Sequence, residues 1–492
     1  MFTPRRASSY AALAAAVCLT GCKPVGPNYV RPQVTAPAAY SESGGADALT
    51  PPPNPTGGSW QPASPSDGML RGDWWKIYND PELNRLEALV TPNNLNLRAS
   101  TQLYLAARDA VTAARAQFYP TLSADVSTSH SKLSAHRPLS NTPSASTNFN
   151  DLVLAGQAGW EPDFWGRIRR KVEAARASAQ ASAADAAALD LAFHAELAQD
   201  YFELRGLDAQ SSLLQATVTD YESQLDLTQK LLTSGIGTEV DVAQARTQLQ
   251  TLRAQLIDID QSRAQYRHAI ATLIDLEAGQ LTLQPAPLHG VPPQIPLGIP
   301  SELIERRPDV AAAERRVAQA NAQIGIAVSA FYPNISLGAA GGFESTHGGT
   351  WIQGPSSLWS LGGQAAELLF DAGERHALSS QARHLYEAQA ATYKATVLAA
   401  FNEVEDRLSD LRVLEQESAA EQLAVGDAQH SLALSNQRYQ GGVASYLEVL
   451  TAENALLQNQ RTLTDLETRR YAASVGLVRA LGGGWDVTQL PK

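Results

Sequence analysis

The chain contains the same large unit twice, and this duplication restricts its fold more than any other feature of the sequence. Residues 118–123 recur in altered form at residues 331–336, and residues 235–242 recur at residues 442–449. The first pair lies 213 residues apart (118 to 331) and the second 207 residues apart (235 to 442). Because the matching segments are far apart and keep their order, they indicate a tandem duplication rather than a short solenoid repeat.

Each copy is predicted to contain a helix, a β-hairpin and then two long helices joined by a turn. In the first copy, the apolar pattern predicts helix over residues 80–117, interrupted near Pro92. Alternating apolar and polar residues predict strands over residues 121–129 and 152–160. The second copy should repeat this order, with strands over residues 335–343 and 359–369.

The two long helices of the first copy are predicted to form a coiled coil. The first should run from residue 167 to residue 233, about 100 Å, with a break near Gly206, and the second should end near residue 277. Their apolar residues alternate spacings of three and four, the period of a coiled coil. The seams are Leu214, Val218, Tyr221, Leu225, Thr228 and Leu232 in one helix and Leu249, Leu252, Leu256, Ile259, Arg263, Tyr266, Ile270 and Leu273 in the other. An ordinary helical bundle would pack in the same way locally.

Four strands per chain are too few to make a closed or well-covered sheet. Open strand edges cannot face lipid, so a membrane sheet would need several copies of the chain around an axis. Aromatic residues flank the predicted strands, as in an interfacial girdle, although they could equally fill the junctions between strands and helices. These residues are Phe118, Tyr119, Trp160, Phe164, Trp165, Phe331, Tyr332 and Phe370.

The first 21 residues are predicted to be a signal peptide rather than part of the fold. Arg5 and Arg6 form a basic start, residues 7–17 are a short apolar stretch, and Leu-Thr-Gly-Cys at residues 19–22 resembles the bacterial lipobox. Cys22 is therefore the predicted site of lipid attachment, and Lys23 after it favours the outer membrane. A plain secretion signal with an incidental cysteine is the alternative.

Composition excludes several classes of protein. The 50 acidic and 38 basic residues give a formal net charge of −12, which argues against nucleic-acid binding. Two cysteines exclude a disulfide scaffold and a cysteine zinc cluster. No stretch of about 18 apolar residues follows the signal peptide, so a membrane span would have to be β.

The sequence also lacks the motifs of common enzymes. It contains no Gly-x-Ser-x-Gly elbow, phosphate loop, His-Glu-x-x-His or Cys-x-x-Cys motif. His376 and His384 are eight residues apart, which is too far for one metal ion. We therefore expect no catalytic residue, no metal and no cofactor.

Several features together resemble the TolC-like outer membrane factors. They are the duplicated halves, the two Phe-Tyr-Pro segments and Arg306-Arg307-Pro308-Asp309, which is the most specific motif. The lipobox and the Trp74-Trp75 opening resemble the NodT-type lipoprotein branch of that family. The resemblance covers essentially residues 22–484.

The resemblance implies an α+β membrane protein. Three chains would each contribute four transmembrane strands to one β-barrel, and the long antiparallel coiled-coil helices would form a periplasmic tunnel. The implied function is a passive exit duct of a tripartite efflux pump in the cell outer membrane. The implied partners are a periplasmic adaptor (membrane fusion) protein, an inner-membrane efflux transporter of the RND type and the lipid of the outer membrane, and they include no nucleic acid.

Six segments are expected on this basis. They are the lipoprotein signal peptide (1–21), a lipid-anchored extended linker (22–73), the first structural repeat (74–280), an inter-repeat linker (281–300), the second repeat (301–484) and a C-terminal tail (485–492). The helix-to-strand junctions are expected at Phe118, Tyr119 and Pro120 and at Phe331, Tyr332 and Pro333. The tip turns of the helical hairpins are expected at Gly235, Gly237, Gly441 and Gly442.

The resemblance implies a periplasmic gate at the hairpin tips. Its residues would be Glu448, Tyr439, Thr451 and Asp241. Family members place an acid at the position of Glu448 or of Thr451, and here only the first is acidic. Tyr439 resembles the tyrosine that bonds across the constriction in the family, and its usual basic partner would fall at Ala444, which cannot pair, so the closing network should differ. The alternative is that the acids simply favour helix N-termini.

Two other functions remain open at this point. A periplasmic coiled-coil lipoprotein with a structural role would need the strands to fold as a soluble sheet. A duct for secreted proteins is equally compatible with the fold. Drugs, metal ions and aromatic compounds are the candidate solutes.

Overall fold

A computed structural model describes residues 23–37, 39–42, 72–132, 134, 148–288, 290–295, 297 and 305–491. The predicted signal peptide, Cys22 and most of the predicted linker lie outside these residues. The described residues include seven α-helices and four strands. The helices are α1 (Pro81–Asn93), α2 (Leu95–Ala116), α3 (Arg167–Thr233), α4 (Glu239–Leu273), α5 (Pro308–Ser329), α6 (Glu374–Gln440) and α7 (Tyr446–Ala480). The strands are β1 (Thr121–Lys132), β2 (Asn148–Trp160), β3 (Asn334–Ser345) and β4 (Ser357–Ala366).

The helix interruption expected near Pro92 lies at Asn94, between α1 and α2. Asn94 has an extended backbone, and its side-chain oxygen accepts hydrogen bonds from the backbone N–H groups of Asn96 (2.9 Å) and Leu97 (3.1 Å). Asn94 thus caps the start of α2. The sequence signal from Pro92 was correct to within two residues.

The break expected near Gly206 was wrong, because α3 is continuous from Arg167 to Thr233. A side chain at Gly206 would place its Cβ only 2.2 Å from the hydroxyl oxygen of Thr468 on α7. The glycine therefore allows two helices to approach closely and does not end either of them. The second helix of this hairpin ends earlier than expected, at Leu273, because Asp275 adopts a left-handed backbone (φ 55°).

The four strands form one antiparallel sheet in the order β1-β2-β3-β4. The central β2–β3 pair joins the two copies of the duplicated unit, with Leu152 opposite Ser345 and Trp160 opposite Leu337. β1 and β3 begin directly after Pro120 and Pro333, as the sequence predicted. β4 ends at Ala366, so the predicted extension to residue 369 was wrong.

The register gives the sheet one mainly apolar face and one mainly polar face. Side chains alternate along a strand, so paired residues share a face. One face carries Leu122, Val126, Leu152, Leu154, Trp160, Ile335, Leu337, Phe343, Trp359 and Leu361. The opposite face carries Thr121, Ser123, Asp125, Ser127, Asp151, Gln157, Ser336, Glu344, Ser360 and Gln364, together with the apolar Phe149, Val153 and Leu358. Large apolar side chains are highly exposed on the first face, including Leu122 at 84% and Trp359 at 81%.

The chain divides into two compact units. One contains the sheet and lies within Met1–Pro32, Tyr104–Ala181 and Ala313–Tyr393; the other contains the hairpin tips and lies within Gln33–Leu103, Ser182–Ala312 and Lys394–Lys492. Each unit takes segments from both copies of the duplicated sequence. The units therefore do not correspond to the repeats.

The start of the described chain packs against helices of the sheet unit. Val25 donates a backbone hydrogen bond to the carbonyl of Trp165 (3.0 Å). The buried Arg170 donates to the carbonyls of Val25 (3.1 Å) and Gly26 (3.2 Å) and to the side chain of Asn28 (3.0 Å). This segment has no regular secondary structure, bends at Gly26 (φ 88°) and is held in place by these hydrogen bonds.

The predicted coiled-coil seam forms the core of the first hairpin. Leu214, Val218 and Tyr221 of α3 pack in one buried cluster with residues of α4. The α4 residues of this cluster are Leu249, Leu252 and Ile259. Glu222 pairs with Arg253, and Asp208 pairs with Arg263 at 2.7 Å. Because residues later in α3 pair with residues earlier in α4, the two helices are antiparallel, as predicted.

The two hairpins of the chain pack with equivalent helices side by side. Gln248 hydrogen-bonds Asn454, and Arg461 donates to the side chain of Gln255 at 3.2 Å. Each pair joins residues 206 positions apart, close to the repeat offset. Among the described helices, none has the length and hydropathy needed to cross a bilayer.

Candidate functional site: the hairpin tips and the strand junctions

The first hairpin turns at a glycine with a left-handed backbone. Gly235 has φ 76°, and its N–H donates to the carbonyl of Leu232, while Ile236 donates to Leu231, both at 3.0 Å. This pair of bonds satisfies carbonyls at the end of α3 that have no partner within the helix. A side chain at Gly237 would contact the backbone of Leu232 at 3.0 Å. Both glycines thus lie where the sequence predicted a tip turn.

The second hairpin has the same turn. Gly442 has φ 73° and donates to the carbonyl of Tyr439 at 3.0 Å, and Val443 donates to Arg438 at 2.9 Å. The preceding Gly441 donates to Gln437 at 3.0 Å and continues the last turn of α6. The identical bonding explains why glycine occurs at both tips, because a left-handed residue with a side chain is strained.

The two tip acids occupy equivalent positions but have different partners. Asp241 and Glu448 are both the third residue of their helices, 207 positions apart. The Asp241 carboxylate accepts from the hydroxyl (2.8 Å) and backbone N–H (3.1 Å) of Thr238, and the Thr238 hydroxyl accepts the N–H of Asp241. This is a capping box at the start of α4. Asp241 therefore has the contacts of a helix cap, the alternative that the sequence left open.

Glu448 takes part in no such cap. Ser445, the counterpart of Thr238, makes no side-chain capping bond. The carboxylate of Glu448 instead lies 3.0 Å from the guanidinium of Arg438 on α6, and the two side chains are 45% and 58% exposed. The second tip thus has a surface acid whose carboxylate does not cap the start of α7.

Arg438 is a tip residue that the sequence analysis missed. The resemblance placed a basic residue, the partner of Tyr439, at Ala444 and none beside Glu448, whereas the structure pairs Glu448 with Arg438 on the other arm of the hairpin. Comparison of the two copies could have identified Arg438, because its counterpart in the first tip is the apolar Leu231. The second tip therefore has an ion pair between Arg438 and Glu448, and the first tip has an apolar residue in place of the arginine.

Tyr439 packs inside the tip and is only partly exposed. Its ring lies 5.7 Å from the ring of Tyr446, centroid to centroid. Both belong to a cluster with Ala245 and Val449, so the tips of the two hairpins share one apolar core. Burial and then the nearby charge of Asp241 raise the pKa of Tyr439, which keeps the phenol protonated at neutral pH.

Thr451 is exposed on α7, one turn after Leu447. Its hydroxyl donates to the carbonyl of Leu447 at 2.8 Å. The side chain thus bonds its own helix. Of the two positions at which the resemblance expects an acid, only that of Glu448 is acidic.

Each tip also exposes two apolar side chains that the sequence analysis did not single out. Ile236 and Val240 are 78% and 62% exposed at the first tip, and Val443 and Leu447 are 73% and 55% exposed at the second. The second pair lies 207 positions after the first. Repeated exposure of apolar side chains at equivalent positions is typical of a contact surface.

The Phe-Tyr-Pro segments lie at the predicted junctions between helix and strand. The indole of Trp160 donates to the carbonyl of Phe118 at 2.9 Å, which ties β2 to the start of β1. Tyr119 beside it is 72% exposed. Pro120 precedes the first residue of β1, because a proline cannot continue the helix.

The second junction is held by similar contacts. Trp165 stacks on Tyr332 with centroids 4.9 Å apart, and its indole donates to the carbonyl of Pro333 at 2.8 Å. Phe331 packs edge-on against His376 at 5.0 Å. Trp165, Tyr332 and Phe331 therefore pack within the second junction, whereas Tyr119 and Phe370 of the predicted set are 72% and 83% exposed.

No metal site accompanies the tips. Within the part of the chain that the structure describes, no group of three or more His, Cys, Asp or Glu side chains is placed to hold a metal ion. The arrangement contains surface charge, a packed phenol pair and exposed apolar side chains. Such groups can bind a partner or control passage of ions, and they include no activated nucleophile.

Comparison with known proteins identifies relatives along nearly the whole chain. The outer membrane efflux protein family model matches residues 88–275 and 299–483, one stretch in each copy. The outer membrane protein OprJ of Pseudomonas aeruginosa is 30% identical over 479 residues, 96% of this chain and 95% of OprJ. The toluene efflux pump outer membrane protein TtgF of Pseudomonas putida is 29% identical over 487 residues, 97% of each chain.

A solved structure agrees with this assignment. The outer-membrane channel OprN superposes with a TM-score of 0.83 at 28% sequence identity, and the match covers 94% of this chain and 99% of OprN. The similarity therefore extends over both the sheet and the helical hairpins.

Proposed function

Because the chain belongs to the outer membrane efflux protein family, we propose that it is the exit duct of a tripartite efflux pump. Solutes would reach the duct from an inner-membrane transporter through a periplasmic adaptor and leave the cell passively. The chain is an outer-membrane efflux channel, like the relatives described above. The energy for transport would come from the inner-membrane partner, since members of this family are channels.

The observation that carries the proposal is the two-faced sheet. Its exposed apolar face suits contact with lipid, and its face of Ser, Thr, Asp, Gln and Glu side chains suits contact with water. A four-stranded sheet has two open edges, which are costly in lipid. Three copies around one axis would pair these edges and enclose the polar face, which supports a homotrimer.

The hairpin tips support the second part of the proposal, a periplasmic gate and docking site. Threefold symmetry would bring three copies of Glu448 around the axis, where negative charge favours cations. Tyr439 and the glycines of the turns would set the shape of the tip. The exposed pairs Ile236 and Val240, and Val443 and Leu447, would be the apolar contacts for the adaptor.

The proposal also includes lipid attachment near the N-terminus and the segment boundaries given above. Lipid at Cys22 would anchor each chain next to the segment that begins at Lys23 and packs along α3. Pro24 of this segment approaches Gly166 so closely that a Cβ on the glycine would lie 2.5 Å from the proline. A lipid at Cys22 would thereby be held near Trp165 and the strand junctions. Mass spectrometry of the mature N-terminus tests this, and a free N-terminus at another residue would refute it.

Reconstitution into planar bilayers tests the channel itself. Purified protein should produce discrete single-channel currents and should run in detergent, without boiling, at about three times the 52.6 kDa chain mass less the signal peptide. A stable monomer without conductance would instead support the periplasmic coiled-coil alternative. The family match favours the efflux channel over that alternative.

The solute requires a separate assay. The name of the relative TtgF mentions toluene, so small apolar aromatic compounds are the first class to test. Deletion of the gene should increase accumulation of such a compound in cells, and the wild-type gene should restore export. Retention of a secreted protein in the periplasm of the deletion strain, with unchanged solute export, would favour a protein duct.

A further inference from the structure

One face of α7 forms a buried seam that a single carboxyl group interrupts. Tyr446, Val449, Glu453 and Leu457 follow one another at spacings of three and four, so they lie on the same side of the helix. Tyr446, Val449 and Leu457 are only 2%, 0% and 8% exposed. Glu453 lies between two apolar clusters: one at the tip, with Ala245, and one in the shaft, with Tyr221 and Leu249.

The carboxyl group of Glu453 pairs with no cation among the described residues. Its Oε2 is buried and accepts no hydrogen bond from that part of the chain. The charged and titratable groups that face it are Asp220 and Tyr221 on α3 and Tyr446 on its own helix, with Tyr439 of α6 next to Tyr446. On α4, Gln248 hydrogen-bonds Asn454, the residue after Glu453.

Ionisation of Glu453 therefore opposes packing of the tip. Burial, and after it the negative charge of Asp220, raises the pKa of Glu453 to about 7. The counterpart of Glu453 in the first hairpin, 207 residues earlier, is Arg246, which is exposed. The first hairpin therefore has an exposed basic residue at the position where the second has this carboxyl group.

We propose that Glu453 is a proton-binding residue that controls how firmly the second hairpin tip packs against the first. With a proton bound, the seam from Tyr446 to Leu457 is neutral and the tip is closed against α3 and α4. When the proton leaves, the carboxylate draws α7 towards water and loosens the cluster around Tyr446. Passage through the gate then depends on pH; this last step rests on the function proposed for the tips, whereas the effect on packing does not.

The direction of the pH dependence follows from the raised pKa. A carboxyl whose pKa is higher in the packed state stabilises that state fully at low pH, and this stabilisation is lost as pH rises through about 7. The shift from the usual 4.5 to about 7 can change the packing equilibrium by at most about 300-fold, since each pKa unit is a factor of ten.

Hydrogen exchange of the tip tests the packing effect on the full-length protein. Backbone amides of residues 439–452 should lose protection at least several-fold, after correction for intrinsic exchange, between about pH 5.5 and about pH 8.5. The variant Glu453→Gln has the same shape as the protonated residue and should stay protected across this range. Glu453→Leu, which removes the polar group, should also be protected at both pH values.

A matched control is Glu203→Gln on α3. Glu203 has a raised pKa from burial, yet it lies on the shaft of the first hairpin rather than in the α7 seam. This variant should keep the pH-dependent loss of tip protection. The proposal is overturned if wild-type tip protection does not change with pH, if Glu453→Gln keeps the change, or if Glu203→Gln removes it.

Single-channel recording separates this proposal from the function of the tips. Wild-type channels should open more often as pH rises through about 7, and Glu453→Gln channels should show the same opening probability on both sides of it. A pH-dependent exchange signal without any effect on conductance would leave the proton site intact and refute the gate. Conductance that changes with pH in both proteins, without a change in tip exchange, would refute the proton site.

Discussion

The guanidinium of Arg438 lies 3.0 Å from the carboxylate of Glu448, across the turn that joins the two helices of the second hairpin. Because both side chains are about half exposed, such a pair contributes only about 0–1 kcal/mol to stability. Its main consequence is electrostatic, since each Arg438 offsets the charge of one acid at the tip. The equivalent positions in the first hairpin, Leu231 and Asp241, form no ion pair with each other.

Neutralising Arg438 should make the channel more selective for cations. In Arg438→Gln, three uncompensated copies of Glu448 should raise cation preference and strengthen block by a trivalent cation several-fold, whereas Glu448→Gln should weaken both. Planar-bilayer recording with asymmetric salt measures selectivity and block. Neither variant should change the melting temperature by more than a few degrees, because the pair is exposed. Equal selectivity in both variants would show that the constriction lies elsewhere.

Removing the capping box of the first tip should reduce stability without changing selectivity. Thr238→Ala should cost about 1 kcal/mol, because the N–H of Asp241 loses its hydroxyl acceptor. Ser445→Ala is the matched control at the second tip, where the serine makes no capping bond, and it should be nearly neutral. Chemical denaturation compares the two variants. Equal stability losses at both tips would contradict the difference in capping.

Arg307, from the most specific sequence motif, should be important for stability. Its guanidinium donates to Glu403 (2.7 Å), to Asp309 and to the carbonyl of Ala480 (3.0 Å), so it joins the start of α5 to α6 and the end of α7. Arg307→Ala should lower the free energy of unfolding by about 2–4 kcal/mol, because the Glu403 carboxylate and the Ala480 carbonyl lose this donor. Arg307→Lys keeps the charge but loses the forked geometry, so its free energy of unfolding should lie between those of wild type and Arg307→Ala. Thermal unfolding followed by circular dichroism ranks the three proteins, and a wild-type melting temperature in Arg307→Ala would refute this role.

Stability should also fall at alkaline pH through His194. Burial lowers the pKa of this imidazole, but the carboxylates of Asp190, 3.6 Å from Nε2, and of Glu87, hydrogen-bonded to Nδ1, outweigh burial and raise it to about 9. A raised histidine pKa stabilises the fold below the ordinary value of about 6.5, and this contribution is lost as pH rises through about 9. Denaturation across that range should show a loss of stability in wild type that is smaller in His194→Gln. His268→Gln, at an exposed histidine, should behave like wild type.

Local signals predicted those parts of the fold that neighbouring residues decide. Pro120 and Pro333 end helices because a proline removes a donor within the same turn. Gly235 and Gly442 mark the tips because the left-handed backbone favours glycine wherever it occurs. The spacing of Leu214, Val218 and Tyr221 predicted the buried seam, since helix periodicity is a property of the segment itself.

Contacts between segments that are distant in the sequence could not be predicted from neighbouring residues. Gly206 resembles a helix break until Thr468, far along the chain, is placed against it. Asp241 and Glu448 resemble the same gate acid, because their helices begin with the same pattern. Only the structure shows that one bonds Thr238 and the other reaches Arg438.

The sequence alone thus determined the duplicated architecture, the two-faced strands, the junctions and the tips. Each of these depends on backbone geometry or on the periodic placement of apolar residues within one element. The tertiary structure decided which of the equivalent residues are capped, paired or buried. Those outcomes depend on a side chain from another helix lying within about 3 Å, the length of a hydrogen bond, and two copies with the same local pattern can therefore meet different partners.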